Sequence, residues 1–346
     1  MRANLSHLVE GIGVPRLIIG SFLLALFVIA YATDMSVPQL ISDSLIRVGM
    51  NGILVLAMVP TISCGVGLNF GLPLGIICGL VGSLISMEMN FAGFAGFFAA
   101  IGCAVPLAAL VGYAYARLLE SVRGQEMMVG TYAGFSVVAL MCIFWLVAPF
   151  KNPALIWAIG GKGLRYTLTL SNHFGKVLNN FLAFQVLGVN VSGGLLGFFL
   201  LLCFLVHLFF RTKLGIAMLA AGTNPLFARS AGIDVRRMKA AGVIMSTVLG
   251  AVGIIVYAQS YGFLQLYLAP LMMAFPAVAS ILIGGARLQR ATVSNVIVGT
   301  VLFQTLLTIA LPVTSRVIQG DISEVARLII SNGMILYALT RATGGK

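Results

Sequence analysis

Charged residues are scarce in this chain of 346 residues: Asp, Glu, Lys and Arg together make up 9%, against roughly 25% in an ordinary soluble domain. Beside 60% hydrophobic residues, that scarcity excludes a water-soluble fold, because too little polar surface is on offer to cover the apolar mass. Nine acidic residues and three histidines leave little material for acid–base or metal chemistry. His7, His173 and His207 stand alone, and no serine has a convincing His and Asp partner, so an intramembrane hydrolase is not expected. No Gly-x-x-x-x-Gly-Lys-Ser/Thr loop occurs, so the chain is not expected to hydrolyse ATP or to need a cofactor. Cys64, Cys78, Cys103, Cys142 and Cys203 all lie in apolar runs without paired spacing, which argues against disulfides and structural zinc. The 21 Lys and Arg give a formal charge of +12, yet they are dispersed and form no concentrated face for nucleic acid.

What the chain has in abundance is apolar sequence in runs long enough to cross a bilayer. Such runs fall near 17–32, 45–64, 69–87, 92–116, 127–148, 193–210, 239–258, 265–284, 291–311 and 324–340. A crossing needs about 17–25 residues, so we expect an all-α polytopic membrane protein of about ten transmembrane helices. Arg2 and Arg16 precede the first run and no small-residue cleavage site follows Ala32, so that run reads as a retained span. An even number of crossings puts both termini on one side. Placing them in the cytoplasm leaves Arg117, Arg211, Arg229, Arg236, Arg287 and most other basic residues inside, the orientation favoured by the positive-inside rule.

Pro60, Gly65, Gly67, Gly71, Pro73 and Gly75 interrupt the apolar pattern between 45 and 90, so a broken second helix is expected there. Backbone groups freed by a break survive in a membrane only where they are buried in protein or line a wet cavity. A second interrupted stretch runs from Pro270 to Gly285. The segments 45–148 and 239–340 each hold four spans and begin on opposite sides, the pattern of an inverted repeat with the route between its halves. Gly79, Gly82, Gly250 and Gly253 recur at helical-turn spacing and point to close helix packing.

Acidic residues avoid the span centres, which removes the usual signature of ion coupling. The polar residues within spans are neutral, and amides and hydroxyls suit a polyhydroxylated solute without fixed charge. Asn51, Asn69, Phe70, Phe275 and Gln304 are the candidates to line the route, Asn69 and Phe70 because they sit inside the break. Two connections exceed simple turns. The outer one, 149–192, is expected to cap the external surface or lie along it. The inner one, 211–238, contains Thr223-Asn224-Pro225, a helix start with proline at the first helical position, and ends its short apolar run at Gly232.

From Gly215 to Val235 the inner segment, with its Ala221-Gly222-Thr223-Asn224-Pro225-Leu226-Phe227-Ala228-Arg229 core, resembles the coupling segment of bacterial ABC importer permeases. The similar family is the one that holds ribose, xylose, arabinose and galactose permeases, nucleoside permeases and branched-chain amino-acid permeases. A second similarity is Ala279-Ser280-Ile281-Leu282-Ile283-Gly284-Gly285, which looks like an element of the sugar members. The resemblance covers about 45–340 and implies one transmembrane permease domain, 1–346, in the bacterial inner membrane. The implied partners are two cytoplasmic ATPase subunits or one fused ATPase, an extracytoplasmic solute-binding protein, and a second permease copy or homologue. It implies that Thr223, Asn224, Pro225, Phe227, Arg229 and Gly232 contact the ATPase. Where sugar members carry an Asp in the broken span, this chain has Gly67-Leu68-Asn69-Phe70-Gly71. Monosaccharide and nucleoside are therefore both open as substrates, with the Gly284-Gly285 element favouring the sugar. An ion-coupled secondary transporter is the rival from another class.

Overall fold

In the computed structural model the described residues are 14–122, 124–157 and 163–317, with 329, 332 and 333 beyond them. The expected last span, 324–340, and both chain ends lie outside the described residues. Helix α1 (Val14–Ala32) is followed by α2 (Val37–Leu56), which has Pro38 in its first turn and passes through the buried Ala57 into α3 (Met58–Ser63). After the break come α4 (Leu72–Glu88), with Pro73 in its first turn, then α5 (Gly93–Ser121) and α6 (Glu126–Val147). Helix α7 (Val177–Asn180) is one turn long. Helix α8 (Gly193–Phe209) bends by 77° into α9 (Lys213–Thr223), and α10 (Pro225–Ser230) leads to α11 (Val235–Tyr261). The described fold closes with α12 (Ala274–Ile283) and α13 (Val293–Val317).

Helices α2 with α3, α5, α6, α11 and α13 are long and apolar enough to cross a membrane, and counting the bent pair α8 and α9 as one span makes six among the described residues. Helices α1, α4 and α12 are apolar but shorter. These lengths do not establish about ten crossings. The run near 265–284 departs most from a single span: it holds a strand, a 3-10 turn (Ala269–Met272) and the ten-residue α12. Pro270 and Pro276, with no N–H to donate, stop a long helix from forming there.

The fold is also not purely helical. Strand β1 (Thr167–Thr169) pairs antiparallel with β4 (Phe263–Gln265), and β2 (Ala183–Val186) with β3 (Val189–Ser192). All four lie in or against the segment 149–192, where no apolar run long enough for a span occurs. That segment is fastened to the bundle by polar side chains at helix ends. Glu88 accepts from the backbone N–H groups of Lys151 and Asn152 at 3.0 and 3.1 Å. Gln259 accepts from the N–H of Leu178 at 3.2 Å and donates to Asn179 Oδ1 at 3.2 Å. The segment's own Leu168, Leu170, Phe174 and Leu178 are buried.

The core lies where α4, α5 and α11 meet, with α2 between α11 and α13. Gly79 and Gly82 let α4 approach the backbones of α11 and α5, against Ala251 O and Ala100 O. Close van der Waals contact of this kind holds membrane helices together where no hydrophobic force operates between them. Helix α6 and the outer face of α5 leave Leu110, Leu140, Ile143 and Val147 exposed, as lipid-facing helices do.

Candidate functional site

The segment 211–238 folds as its local chemistry dictates. Thr212 caps α9 by accepting from Gly215 N at 3.3 Å. Asn224 caps α10, its Oδ1 accepting from Phe227 N at 3.0 Å, and Pro225 takes the first helical position. Gly232, at φ +78°, ends α10 with nested bonds from Gly232 N to Arg229 O and from Ile233 N to Ala228 O. Asp234 then caps α11, accepting from Arg236 and Arg237 N–H. Thr223 closes α9 and donates to Leu219 O at 2.9 Å.

Helix α10 buries Ala228 against Ala221 and Val235 and turns its larger side chains outward. Leu226 is 78% exposed and Phe227 63%, with Arg229 exposed beside them. Between α10 and the facing ends of α5, α6 and α11 lies a cavity of about 480 Å³. Its wall carries three ion pairs: Arg236 with Glu120 at 3.2 Å, Arg237 with Asp234 at 3.1 Å, and Lys239 with Glu126 at 3.9 Å. Arg117 and Arg229 line the same cavity and form no ion pair among the described residues.

The break sits directly behind this segment. Helix α3 ends with Gly65 at φ +77°, where Gly65 N donates to Ile62 O at 3.1 Å and Val66 N to Thr61 O at 3.0 Å. Gly222 of α9 lies flat on it: a Cβ at 222 would stand 2.8 Å from Gly65 N and 2.9 Å from Cys64 C. Two glycines therefore bring the backbone of α9 into contact with the backbone of the break. From the other side, a Cβ at Gly242 of α11 would stand 2.9 Å from Pro60 O.

Asn69, 2% exposed, ties the far end of the break to two helices. Its Nδ2 donates to Ser246 Oγ at 2.8 Å, and Ser246 donates to Ala57 O at 2.6 Å. Tyr115 donates to Asn69 Oδ1 at 3.3 Å. Next to it, the ring of Phe70 meets that of Phe275 with centroids 5.7 Å apart. The structure thus brings together Asn69, Phe70 and Phe275. Asn51 stands apart, half-buried, its amide donating to Arg47 O at 3.0 Å, and Gln304 is buried on α13.

A family profile described as "Branched-chain amino acid transport system / permease component" matches residues 40–339. The chain belongs to this family. It is a permease component of an ABC transporter, a transport subunit, and an integral membrane protein. ATPase and substrate-binding partners go with such permeases in general. No curated protein and no solved structure matches the chain.

Two groups of this site were not evident in the sequence. Tyr115 is buried while Tyr113, two residues earlier, is exposed, and nothing in that apolar run separates them beforehand. Glu120 and Glu126 look like ordinary solvated charges until their partners on α11 are placed beside them.

Proposed function

We propose that this chain is the permease of a binding-protein-dependent importer for a simple sugar, driven from the cytoplasm by ATPase subunits that grip α10. The observation that carries the coupling half is the outward pair Leu226 and Phe227 on a short capped helix whose neighbour α9 rests on the break. An apolar pair with a flanking guanidinium suits a groove on a partner, read as a helix in a groove. Thr223, Asn224, Pro225, Arg229 and Gly232 shape that element, and the segment 211–238 acts as its cytoplasmic lever. Tilting of the attached bundle would alternate access by rigid-body movement.

An inverted repeat fits the described elements. The ends of α4 and α11 meet the segment 149–192, whereas α3 ends on α9 and α12 ends on Arg16, whose guanidinium donates to Gly284 O. Helices α4 and α12 finish alike, in nested turns with Asn90 at φ 55° and Gly285 at φ 82°. In this reading both termini are in the cytoplasm and 149–192 is outside, an orientation that the bias of Lys and Arg along the sequence supports.

The sugar half of the proposal rests on neutrality. Asn51, Asn69, Phe70, Phe275 and Gln304 offer amides and aromatic faces without a counter-charge, which suits a ring with several hydroxyls. A nucleoside is the second reading, favoured by Gly67-Leu68-Asn69 in the break. Uptake into vesicles holding the permease, its ATPase and its binding protein decides between them. Accumulation of a labelled pentose or hexose is expected; accumulation of a nucleoside or of leucine instead would end the sugar assignment. Uptake without ATP, driven by an ion gradient, would end the coupling assignment.

A further inference from the structure

The hairpin β2–β3 has an unusual surface. Its register pairs Phe184 with Val191 and Val186 with Val189, so these four side chains share one face, while Gln185 and Asn190 share the other. Every residue of β2 is exposed. The turn is Leu187–Gly188, with φ of 50° and 81°, a place usually filled by Asn-Gly. Leu187 is 95% exposed there, and Leu182, just before β2, is 66% exposed at φ 51°. Left-handed backbone disfavours a leucine, and pointing it into water returns nothing.

The level of the hairpin is fixed by what holds it. Strand β3 runs into α8 with no linker, Ser42 near the start of α2 donates to Asn190 O at 2.9 Å, and Phe181 meets Phe94 in the first turn of α5 edge-on at 5.3 Å. Three membrane helices therefore begin at its height. Phe94 in turn stacks on Phe98 at 6.5 Å, and both are exposed on the outer face of α5. An apolar row thus runs from that lipid-facing helix to Phe181, and the exposed Leu182 follows it directly before the hairpin.

We propose that β2–β3 is an interfacial anchor whose apolar face lies in the lipid leaflet on the side remote from α10, at the boundary between headgroups and acyl chains. At that depth the unpaired strand edges still meet water, which a position in the hydrocarbon would deny them. The occupant is lipid because the exposed face prolongs the surface that α5 already presents to lipid.

Tryptophan placed on the hairpin tests this. In a Trp157→Phe background, Leu187→Trp and, separately, Phe184→Trp are reconstituted into phosphatidylcholine vesicles with or without brominated acyl chains; the buried Trp145 serves as a constant baseline. Loss of the added emission in brominated vesicles is the expected result, with or without partial quenching by aqueous iodide. Quenching by iodide alone would overturn the proposal, since the hairpin would then stand in water. Protection from both quenchers would overturn it too, since a protein surface such as a second copy or a binding protein would then cover the face. Phe184→Trp gives the reading if the variant at the strained turn does not insert.

Discussion

Replacing Gly222 by Ala sets two effects of known sign against each other. In a helix interior Ala is favoured over Gly by about 0.8–1 kcal/mol, so α9 taken alone should gain. The contact with the break points the other way. A Cβ at 222 would stand 2.8 Å from Gly65 N, where ordinary contact begins at 3.4 Å, so α9 has to retreat by at least about 0.6 Å. Ser63 O is closer still, and every one of these neighbours is backbone, so no side-chain rotation can make room. Overpacking of this sort costs about 1–3 kcal/mol, which outweighs the helix gain. Gly222→Ala is therefore expected to be less stable than the parent by up to about 2 kcal/mol, and to lose most ATP-driven uptake because α10 moves with α9. Thermal unfolding in detergent and uptake by vesicles holding the complete importer are the two measurements. Gly102→Ala and Gly197→Ala, with nothing within 4 Å of the added methyl, are the controls and should hold or gain stability. If Gly222→Ala behaved like those controls and transported normally, the backbone contact between α9 and the break would have no mechanical role.

Two further substitutions test neighbouring parts of the same assembly. Asn224→Ala removes the cap of α10 and should cost that helix about 1 kcal/mol, seen as weaker stimulation of ATPase activity by the permease, whereas Asn224→Asp keeps an acceptor for Phe227 N and should retain it; equal loss in both would show that the amide itself meets the partner. Ser246→Ala leaves Asn69 Nδ2 and Ala57 O without their shared hydroxyl, and should lower stability by about 0.6–1.7 kcal/mol in thermal unfolding, while an unchanged midpoint would mean that this junction does not hold the break.

Much of the fold of the segment 211–238 was legible because short-range rules decide it. Asn224, Pro225 and Gly232 occupy the cap, first-turn and terminating positions that their side chains favour, and those preferences operate over three or four residues. The existence of a break was legible for the same reason, from Gly65, Gly67, Pro73 and their neighbours. Its surroundings were not. The sequence leaves two ways to satisfy the freed backbone groups, burial in protein or a wet cavity, and the structure buries the break against α9 and α11. Which of the two happens depends on contacts between residues more than 150 positions apart, such as Gly65 with Gly222 and Asn69 with Ser246, and hydropathy carries no trace of them. The strands were missed for a related reason: Thr167–Thr169 becomes a strand only because Phe263–Gln265 lies beside it.

Burial of the break changes what it can do. A break open to a wet cavity is a set of carbonyls for a solute; a break pressed between α9 and α11 is a joint. Helix α9 meets it through glycine, so there is no side chain to flex between the two backbones, and displacement of α10 has to reach residues 64 to 66 or open a void. Beyond that joint the chain carries Asn69, bonded to α11, and Phe70, in contact with Phe275 of α12 in the second half. The polar side chains closest to the joint thus tie the break to α11, and the aromatic pair ties it to α12. On the proposed alternating-access reading, a route between the halves would part Phe70 from Phe275, and the amide of Asn69 would meet solute only after giving up its bond to Ser246.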